Sequence, residues 1–107
     1  MSLKSLNIMG LDILLFNKTG EKKGIFEIDE NFHYWLFNKA GLNKNEFPEI
    51  FKIQDYYKTN VQFVDEELQR FICELESLRK RSSNKNIDYI LSKLKQEYIT
   101  KIRITGD

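Results

Sequence analysis

Residues 28–42 read I-D-E-N-F-H-Y-W-L-F-N-K-A-G-L and contain both a start signal and a stop signal for a helix. Asp29 is a typical N-cap residue, because its carboxylate can accept the unpartnered backbone N–H groups of a first helical turn. Gly41 suits the left-handed position that closes a helix. The stretch therefore predicts a core helix over residues 30–40. Its apolar stripe consists of Phe32, His33, Leu36, Phe37 and Ala40.

The same stretch holds the chain's only Trp, Trp35, and its only His, His33. A lone histidine in an apolar stripe is more often a packed side chain than a metal ligand or a catalytic base. Trp35 lies at the edge of the stripe, and Tyr34 lies largely opposite it. Since Trp and Tyr are enriched at binding hot spots, the outer edge of this helix is also a candidate recognition surface.

Two further helices are predicted in the second half of the chain. Asp65 can cap the first, which ends at the basic run R-K-R at residues 79–81. Asn84 or Asn86 can cap the second, which runs to about Tyr98. Because the polar linker between them is short, the two helices should pack antiparallel. Their apolar stripes comprise Leu68, Phe71, Ile72, Leu75 and Leu78 in the first, and Ile87, Ile90, Leu91, Leu94 and Tyr98 in the second.

A hairpin is predicted near the start of the chain. Residues 11–16, L-D-I-L-L-F, are apolar apart from Asp12, as in a strand that is covered on both sides or central in a small sheet. Residues 17–24 are polar, contain two glycines and predict a turn. Residues 25–28 then predict the second strand of the hairpin.

A terminal strand is predicted over residues 99–105, where Ile102 and Ile104 alternate with polar residues. It should lie next to the hairpin with one side to solvent. Residues 53–64 fit either a short strand or an extended packed loop. Strands near both ends with helices between them predict an α+β fold: a small antiparallel or mixed sheet of three to four strands, made of the N-terminal hairpin plus the C-terminal strand and covered by three helices.

Length and composition predict a single domain. The chain has 107 residues, and we expect the domain to cover residues 9–107, with residues 1–8 as a disordered or vector-derived extension. No apolar run approaches the roughly 18 residues that span a bilayer, so no membrane association is expected. The single cysteine, Cys73, cannot form an internal disulfide, which favours the cytoplasm. Within its helix, Cys73 should be partly buried.

Catalytic and metal-binding patterns are missing from the sequence. A metal site needs several converging ligands, whereas the chain has one His and one Cys. Its glycines are too scattered for a phosphate-binding loop. A nucleophile pair of Cys73 and His33 is conceivable, but Cys73 falls within a helix rather than at the N-terminus where thiolates are stabilised. We therefore predict no enzyme activity, no cofactor and no metal; a small enzyme using His33 is the last alternative.

Charge offers a second alternative, a nucleic-acid-associated accessory protein that uses the basic region 79–103. The formal net charge of only +1 and the acidic block at residues 54–78 weigh against this interpretation. The acidic and basic blocks could equally pair with each other within a helical hairpin. The basic side chains are Arg79, Lys80, Arg81, Lys85, Lys93, Lys95, Lys101 and Arg103.

Protein binding is the function that the sequence favours most. Aromatic residues that could be exposed occur among carboxylates in two segments, near residues 29–35 and 46–57. Such a mixture suits a surface that docks a basic partner, with aromatic anchors and carboxylates that steer the encounter. The predicted contact residues are Tyr34, Trp35, Asp55, Tyr56 and Tyr57.

The opening M-G-L-D-I at residues 9–13, followed by an apolar strand, resembles the start of several small bacterial proteins, some of which are regarded as immunity proteins of toxin systems. The I-x-D-Y-Y segment at residues 53–57 and a closing strand that ends in Gly106 and Asp107 are compatible with that resemblance. It implies a binder that neutralises a toxin without catalysis. It assigns no contact residues, since such proteins bind through divergent surfaces.

Overall fold

The computed structural model describes residues 10–106, which form an α+β fold with a four-stranded antiparallel sheet and three α-helices. The predicted fold class is confirmed. The predicted extension over residues 1–8 and the domain start at Met9 lie outside the described residues. The elements are β1 (Leu11–Phe16), β2 (Lys22–Ile28), α1 (Glu30–Asn38), a 3-10 turn (Ile50–Ile53), β3 (Asn60–Val64), α2 (Glu66–Arg81), α3 (Lys85–Leu94) and β4 (Lys101–Gly106).

The strands lie in the order β2-β1-β4-β3, and every neighbouring pair is antiparallel. β1 is central, as its apolar sequence predicts, and β4 lies next to the hairpin. β3 comes from the segment that the sequence left open between strand and loop. It pairs with β4, so that Phe63 lies beside Ile102. β3 thus completes the sheet, and it is recognisable as a strand only through its pairing with the distant β4.

One hydrophobic core joins the sheet to the three helices. Leu11, Ile13 and Leu15 of β1 are buried, while the alternate residues of that strand are half-buried. The buried stripes of α2 and α3 pack onto this inner face of the sheet, because helical spacing and strand alternation place all these apolar side chains on facing surfaces. The helical members of the core are Phe32, Leu36, Leu68, Phe71, Ile72, Leu75, Leu78, Ile87, Ile90, Leu91 and Leu94.

The hairpin turn is shorter than predicted, and β2 begins at Lys22. The side-chain carbonyl of Asn17 accepts the backbone N–H groups of Thr19 at 3.1 Å and of Glu21 at 2.9 Å. Gly20 provides the positive φ of +85° that the turn requires. Because the hydrogen bonds of Asn17 close the turn at Glu21, Lys22 and Lys23 belong to β2.

The predicted N-cap of α1 is confirmed; Gly41 adopts the expected left-handed conformation but lies beyond the actual C-cap, Lys39. The Asp29 carboxylate accepts the N–H of Phe32 at 3.1 Å, and Gly41 has a φ of +74°. The helix ends at Asn38, two residues earlier than predicted, because the backbone N–H groups of Lys39 and Ala40 both donate to the carbonyl oxygen of Trp35. These ends fix how α1 leaves β2 and enters the long connection to β3.

Asp65 does not act as the predicted side-chain N-cap of α2. Its side chain makes no capping hydrogen bond, and its backbone has a φ of +51°, a region that L-residues rarely adopt. The Asp65 N–H instead donates to the carbonyl of Thr100 at 3.1 Å. Sheet pairing therefore continues past the end of β3 and sets the backbone at the position where a cap was expected.

Two predictions about the helical hairpin are wrong. Cys73 is exposed rather than partly buried, since it faces away from the apolar stripe of α2. α3 ends at Leu94, and Tyr98 is 51% exposed rather than part of its stripe. A turn in which the Ile99 N–H donates to the Gln96 carbonyl at 3.0 Å redirects the chain toward β4.

The connection between α1 and β3 is fastened to α2 by Glu74. Its two carboxylate oxygens accept the backbone N–H groups of Glu49 at 3.1 Å and Ile50 at 2.9 Å, which are the free donors at the start of the 3-10 turn. The Glu49 carboxylate in turn lies 2.8 Å from the Lys52 ammonium and 3.3 Å from the Arg70 guanidinium. These hydrogen bonds and ion pairs hold the connection against the side of the core.

Candidate functional site

A groove of about 440 Å³ runs between α1 and the segment that follows the 3-10 turn. α1 supplies most of its wall because side chains three and four residues apart share one helical face. The second wall comes from Gln54 and Tyr56. The residues from α1 are Glu30, Asn31, His33, Tyr34, Phe37 and Asn38.

His33 is a buried part of the groove wall, with 7% of its surface exposed. Its Nε2 lies 2.8 Å from the carbonyl oxygen of Ile53, so Nε2 carries the proton and donates it. The ring packs against Phe37 and Tyr56 with centroid distances of 4.7 and 4.9 Å. Burial lowers the pKa of His33, outweighing the raising effects of the Ile53 carbonyl and of nearby carboxylates. The imidazole is therefore neutral at pH 7.

Tyr56 forms the opposite wall and is half-buried. Its hydroxyl donates to the carbonyl oxygen of Ile28 at 3.0 Å, which ties the segment after the 3-10 turn to the end of β2. Burial, followed by the negative charge of Glu27, raises the pKa of Tyr56 to about 12. The phenol therefore stays protonated and keeps this hydrogen bond throughout the physiological range.

Asp55 and Tyr57 flank Tyr56 and are both exposed. The Asp55 carboxylate accepts the backbone N–H groups of Tyr57 at 3.0 Å and Lys58 at 2.9 Å, so it shapes the turn that carries the tyrosines. The Tyr57 hydroxyl donates to the Glu30 carboxylate at 3.2 Å. The charge of Glu30 is the main cause that raises the pKa of Tyr57. This contact joins the tyrosine turn to the first turn of α1.

Gly106 at the end of β4 supports the tyrosine turn from below. A Cβ atom at this position would lie 2.5 Å from the carbonyl oxygen of Tyr56 and 2.8 Å from the carbonyl carbon of Tyr57. Only glycine leaves room for such a close backbone approach. The Gly106 N–H also donates to the Thr59 carbonyl at 2.7 Å. The terminal strand thereby positions the groove.

The five predicted contact residues are only partly brought together. Tyr34 and Tyr56 line the groove from opposite walls, with Asp55 and Tyr57 next to Tyr56 in the chain. Tyr34 is 58% exposed at the rim. Trp35 does not line the groove: it is half-buried and stacks on the core residue Phe32 at a centroid distance of 5.7 Å. One residue along a helix turns the side chain by about 100°, which carries Trp35 to the other flank of α1.

Sequence reasoning missed part of the groove lining. Phe37 and Asn38 were visible as the neighbours of His33 and Tyr34 one turn later, so the helical pattern contained their signal. Gln54 lies in a segment whose structure the sequence left open, and no local pattern indicated it. Cys73 and His33 line different depressions, so the conceivable nucleophile pair is not assembled.

Carboxylates dominate the charge around the groove. Within residues 10–106, no Lys or Arg side chain forms an ion pair with Asp29, Glu30 or Asp55. The negative charges of Glu30 and Asp55 act within the groove, since each favours a higher pKa of His33. The arrangement can therefore attract a cationic group and offer it aromatic faces.

Several cations of the basic region 79–103 are already engaged. Arg79 lies 2.6 Å from the carboxylate of Asp88, and Lys95 lies 2.5 Å from that of Glu76, both across the α2–α3 hairpin. Arg81 forms an ion pair with Glu46 at 3.0 Å. Of these three ion pairs, only that of Lys95 with Glu76 joins the basic region to the acidic block at residues 54–78.

No protein-family model matches the chain, and neither the curated proteins nor the solved structures contain a significant match. In the described part of the chain, no group of three or more His, Cys, Asp or Glu side chains is arranged to hold a metal ion. None of the helices in residues 10–106 combines the length and apolar character of a membrane span.

Proposed function

We propose that this chain is a non-catalytic protein-binding domain of the immunity or inhibitor type, which masks a basic surface of a partner protein. The observation that supports the proposal is the groove beside α1. There, Tyr34 and Tyr56 line opposite walls, and the carboxylates of Glu30 in the lining and of the neighbouring Asp29 and Asp55 have no cationic partner within residues 10–106. A lysine or arginine side chain gains from both features, through cation–π contact and through charge attraction.

The groove is ordered before any partner arrives. Three hydrogen bonds fix its walls: His33 to Ile53, Tyr56 to Ile28, and Tyr57 to Glu30. These side chains would therefore lose little conformational entropy when a partner binds. The exposed rings of Tyr34 and Tyr57 supply contact area, and the carboxylates accelerate the encounter. The resemblance at the start of the chain makes a toxin the partner class that we propose.

Affinity capture followed by binding measurements with the purified partner tests this function. Tyr34→Ala and Tyr57→Ala should each weaken binding by roughly tenfold or more, as expected for exposed aromatic anchors. Tyr98→Ala is the matched control, because Tyr98 is similarly exposed but lines a separate depression beside β2. Equal affinities of the wild type, Tyr34→Ala and Tyr57→Ala would rule out this surface.

Ionic strength separates the two main candidates. An accessory protein for nucleic acid would bind through exposed cations such as Lys80, Lys85 and Arg103, and salt would abolish that binding steeply. A contact anchored by tyrosines should lose much less affinity with salt. A small enzyme using His33 is a third candidate, since the imidazole lines the groove; it requires a turnover that His33→Ala removes. The exposed thiol of Cys73 fits the cytoplasm as the proposed compartment.

A further inference from the structure

We propose that β2 is a self-association edge: two copies of this chain pair their β2 strands antiparallel about Ile25, so that both sheets become one. β2 lies at one end of the strand order and, within residues 10–106, only its β1 side is paired. An exposed edge presents unpaired backbone donors and acceptors that another strand can satisfy. The inference is independent of the groove beside α1.

The sequence of β2 is self-complementary about Ile25. In an antiparallel pair centred there, Lys23 of each copy faces Glu27 of the other, and the two copies of Ile25 face each other. The same register sets Gly24 opposite Phe26, a small residue beside a large one. Opposite charges and apolar pairs across strands are each favourable. The two-fold symmetry repeats the Lys23–Glu27 and Gly24–Phe26 pairs, whereas the Ile25 pair lies on the axis and occurs once.

The exposure of the β2 side chains agrees with this pairing. Lys23, Ile25 and Glu27 are exposed on one face of the strand, whereas Gly24 and Phe26 are half-buried toward the core. Ile25 is 54% exposed although it is a large aliphatic residue in the middle of a strand. The two charges and the apolar centre therefore lie on the same side, where the cross-strand contacts would form.

A depression of about 240 Å³ beside the β2 edge offers room for the second copy on the core side. Its floor includes Phe26, whose ring meets that of Tyr89 edge-on at a centroid distance of 5.6 Å. Tyr89 of α3 and Tyr98 of the turn that follows α3 also line this depression, and each is 51% exposed. The exposed tyrosine rings offer contact area to a second copy beside the strand.

The other sheet edge, β3, lacks these features. Its sequence N-V-Q-F-V has no charged residue, so an antiparallel self-pair would gain no ion pair. The Val64 N–H at its end already has a side-chain acceptor, Glu67, at 3.4 Å. In β2 the register irregularity against β1 falls next to Gly24, at Lys23. The Lys23 ammonium lies 3.8 Å from the exposed Glu21 carboxylate, a weak contact that it would exchange for Glu27 of the second copy. Charge complementarity therefore assigns the second copy to β2.

Sedimentation velocity over a range of protein concentrations gives the first test. The full chain should show a monomer–dimer equilibrium, and Ile25→Lys should weaken the dimer by roughly tenfold or more, because two like charges would meet at the symmetry axis. Val64→Lys is the matched control on the other edge and should leave the dimer unchanged. A chain that stays monomeric at every concentration, or equal effects of the two variants, would overturn the proposal.

Charge exchange and cross-linking then test the register. Lys23→Glu and Glu27→Lys should each weaken the dimer, and the double variant should restore it, since the ion pairs re-form with reversed sign. In a Cys73→Ser background, Ile25→Cys should form an intermolecular disulfide under mild oxidation, because directly opposed residues lie within disulfide reach. Val64→Cys should not. If the double variant fails to restore the dimer, or if Ile25→Cys forms no cross-link, this pairing is wrong. A chain that stays monomeric and binds a foreign peptide along β2 would also overturn the proposal.

Discussion

Two side chains from different helices fasten the connection between α1 and β3, and they do so by opposite means. Glu74 of α2 is charged and accepts two backbone N–H groups at the start of the 3-10 turn. His33 of α1 is neutral, is buried and donates to the carbonyl of Ile53 at its end. The charged fastening lies away from the groove, whereas the neutral one builds its wall. Stability can therefore be changed at Glu74 with the groove intact, while a change at His33 affects both.

The largest effect is expected at the charged fastening. Glu74→Ala should lower the free energy of unfolding at pH 7 by about 2–3 kcal/mol, because two partly buried N–H groups lose a carboxylate acceptor. Urea denaturation measures this loss. Glu76→Ala is the control on the same helix, since its ion pair with Lys95 is exposed and contributes about 1 kcal/mol or less. Similar losses for the two variants would contradict the assigned role of Glu74.

Removal of the neutral fastening should cost about 2 kcal/mol. His33→Ala loses the hydrogen bond to Ile53 and leaves a gap between the rings of Phe37 and Tyr56. Urea denaturation of this variant is compared with that of Tyr34→Ala, whose exposed side chain contributes little to the core. A stability loss in Tyr34→Ala as large as that in His33→Ala would show that the groove wall does not depend on the buried imidazole.

The neutral fastening should also be sensitive to pH. The pKa of His33 in the folded chain lies below the ordinary value of 6.5, so the unfolded chain binds a proton at a higher pH than the folded one. The free energy of unfolding should therefore be constant at pH values well above the unfolded pKa of 6.5. It should fall as the pH is lowered from 6.5 toward the pKa of His33 in the folded chain. Denaturation curves between pH 5.5 and 7.5 measure the slope.

His33→Gln provides the control for this pH dependence. The variant keeps a side-chain N–H donor but cannot titrate, so the slope in that window should disappear. The wild-type chain contains no other histidine, and histidine is the only type of side chain whose unperturbed pKa falls in this pH window. A slope that persists in His33→Gln would mean that another group controls stability in this range.

The smallest effect concerns the tyrosine turn and leaves the fold unchanged. Glu30→Gln should lower the pKa of Tyr57 toward its ordinary value, because the charge of Glu30 is the main cause of the raised pKa. Tyr56 should remain near its pKa of about 12, since burial is its main cause. NMR titration of the tyrosine rings distinguishes the two residues. Equal shifts of both pKa values would place Glu30 closer to Tyr56 than the structure does.

Helix patterns carried most of what the sequence could predict about the fold. Asp29, Gly41 and the apolar stripes of α1 and α2 act through neighbours within about one helical turn, and each behaves as its local chemistry predicts. Asp65 has the same apparent signal as Asp29, yet it makes no side-chain cap. The difference arises because its backbone N–H is engaged by Thr100, a contact that no local pattern reports.

The candidate groove was less predictable than the helices. The aromatic residues could be named from the sequence, but Tyr34 and Tyr56 meet only because the 3-10 turn brings the second segment against α1. Trp35 was grouped with them through its position in the chain, although helical rotation directs it to the core residue Phe32. Gln54 joins the lining with no signal in its neighbourhood.

The sequence alone determined the α+β class, the hairpin, the terminal strand and the apolar stripes, because these depend on periodicity and on hydrogen bonds between near neighbours. Only the tertiary structure decided that β3 completes the sheet, that His33 is a neutral donor to Ile53, and that Asp29, Glu30 and Asp55 lack cationic partners within residues 10–106. Those facts depend on contacts between segments far apart in the chain. Their free energy comes from the packing of the whole domain rather than from any local stretch.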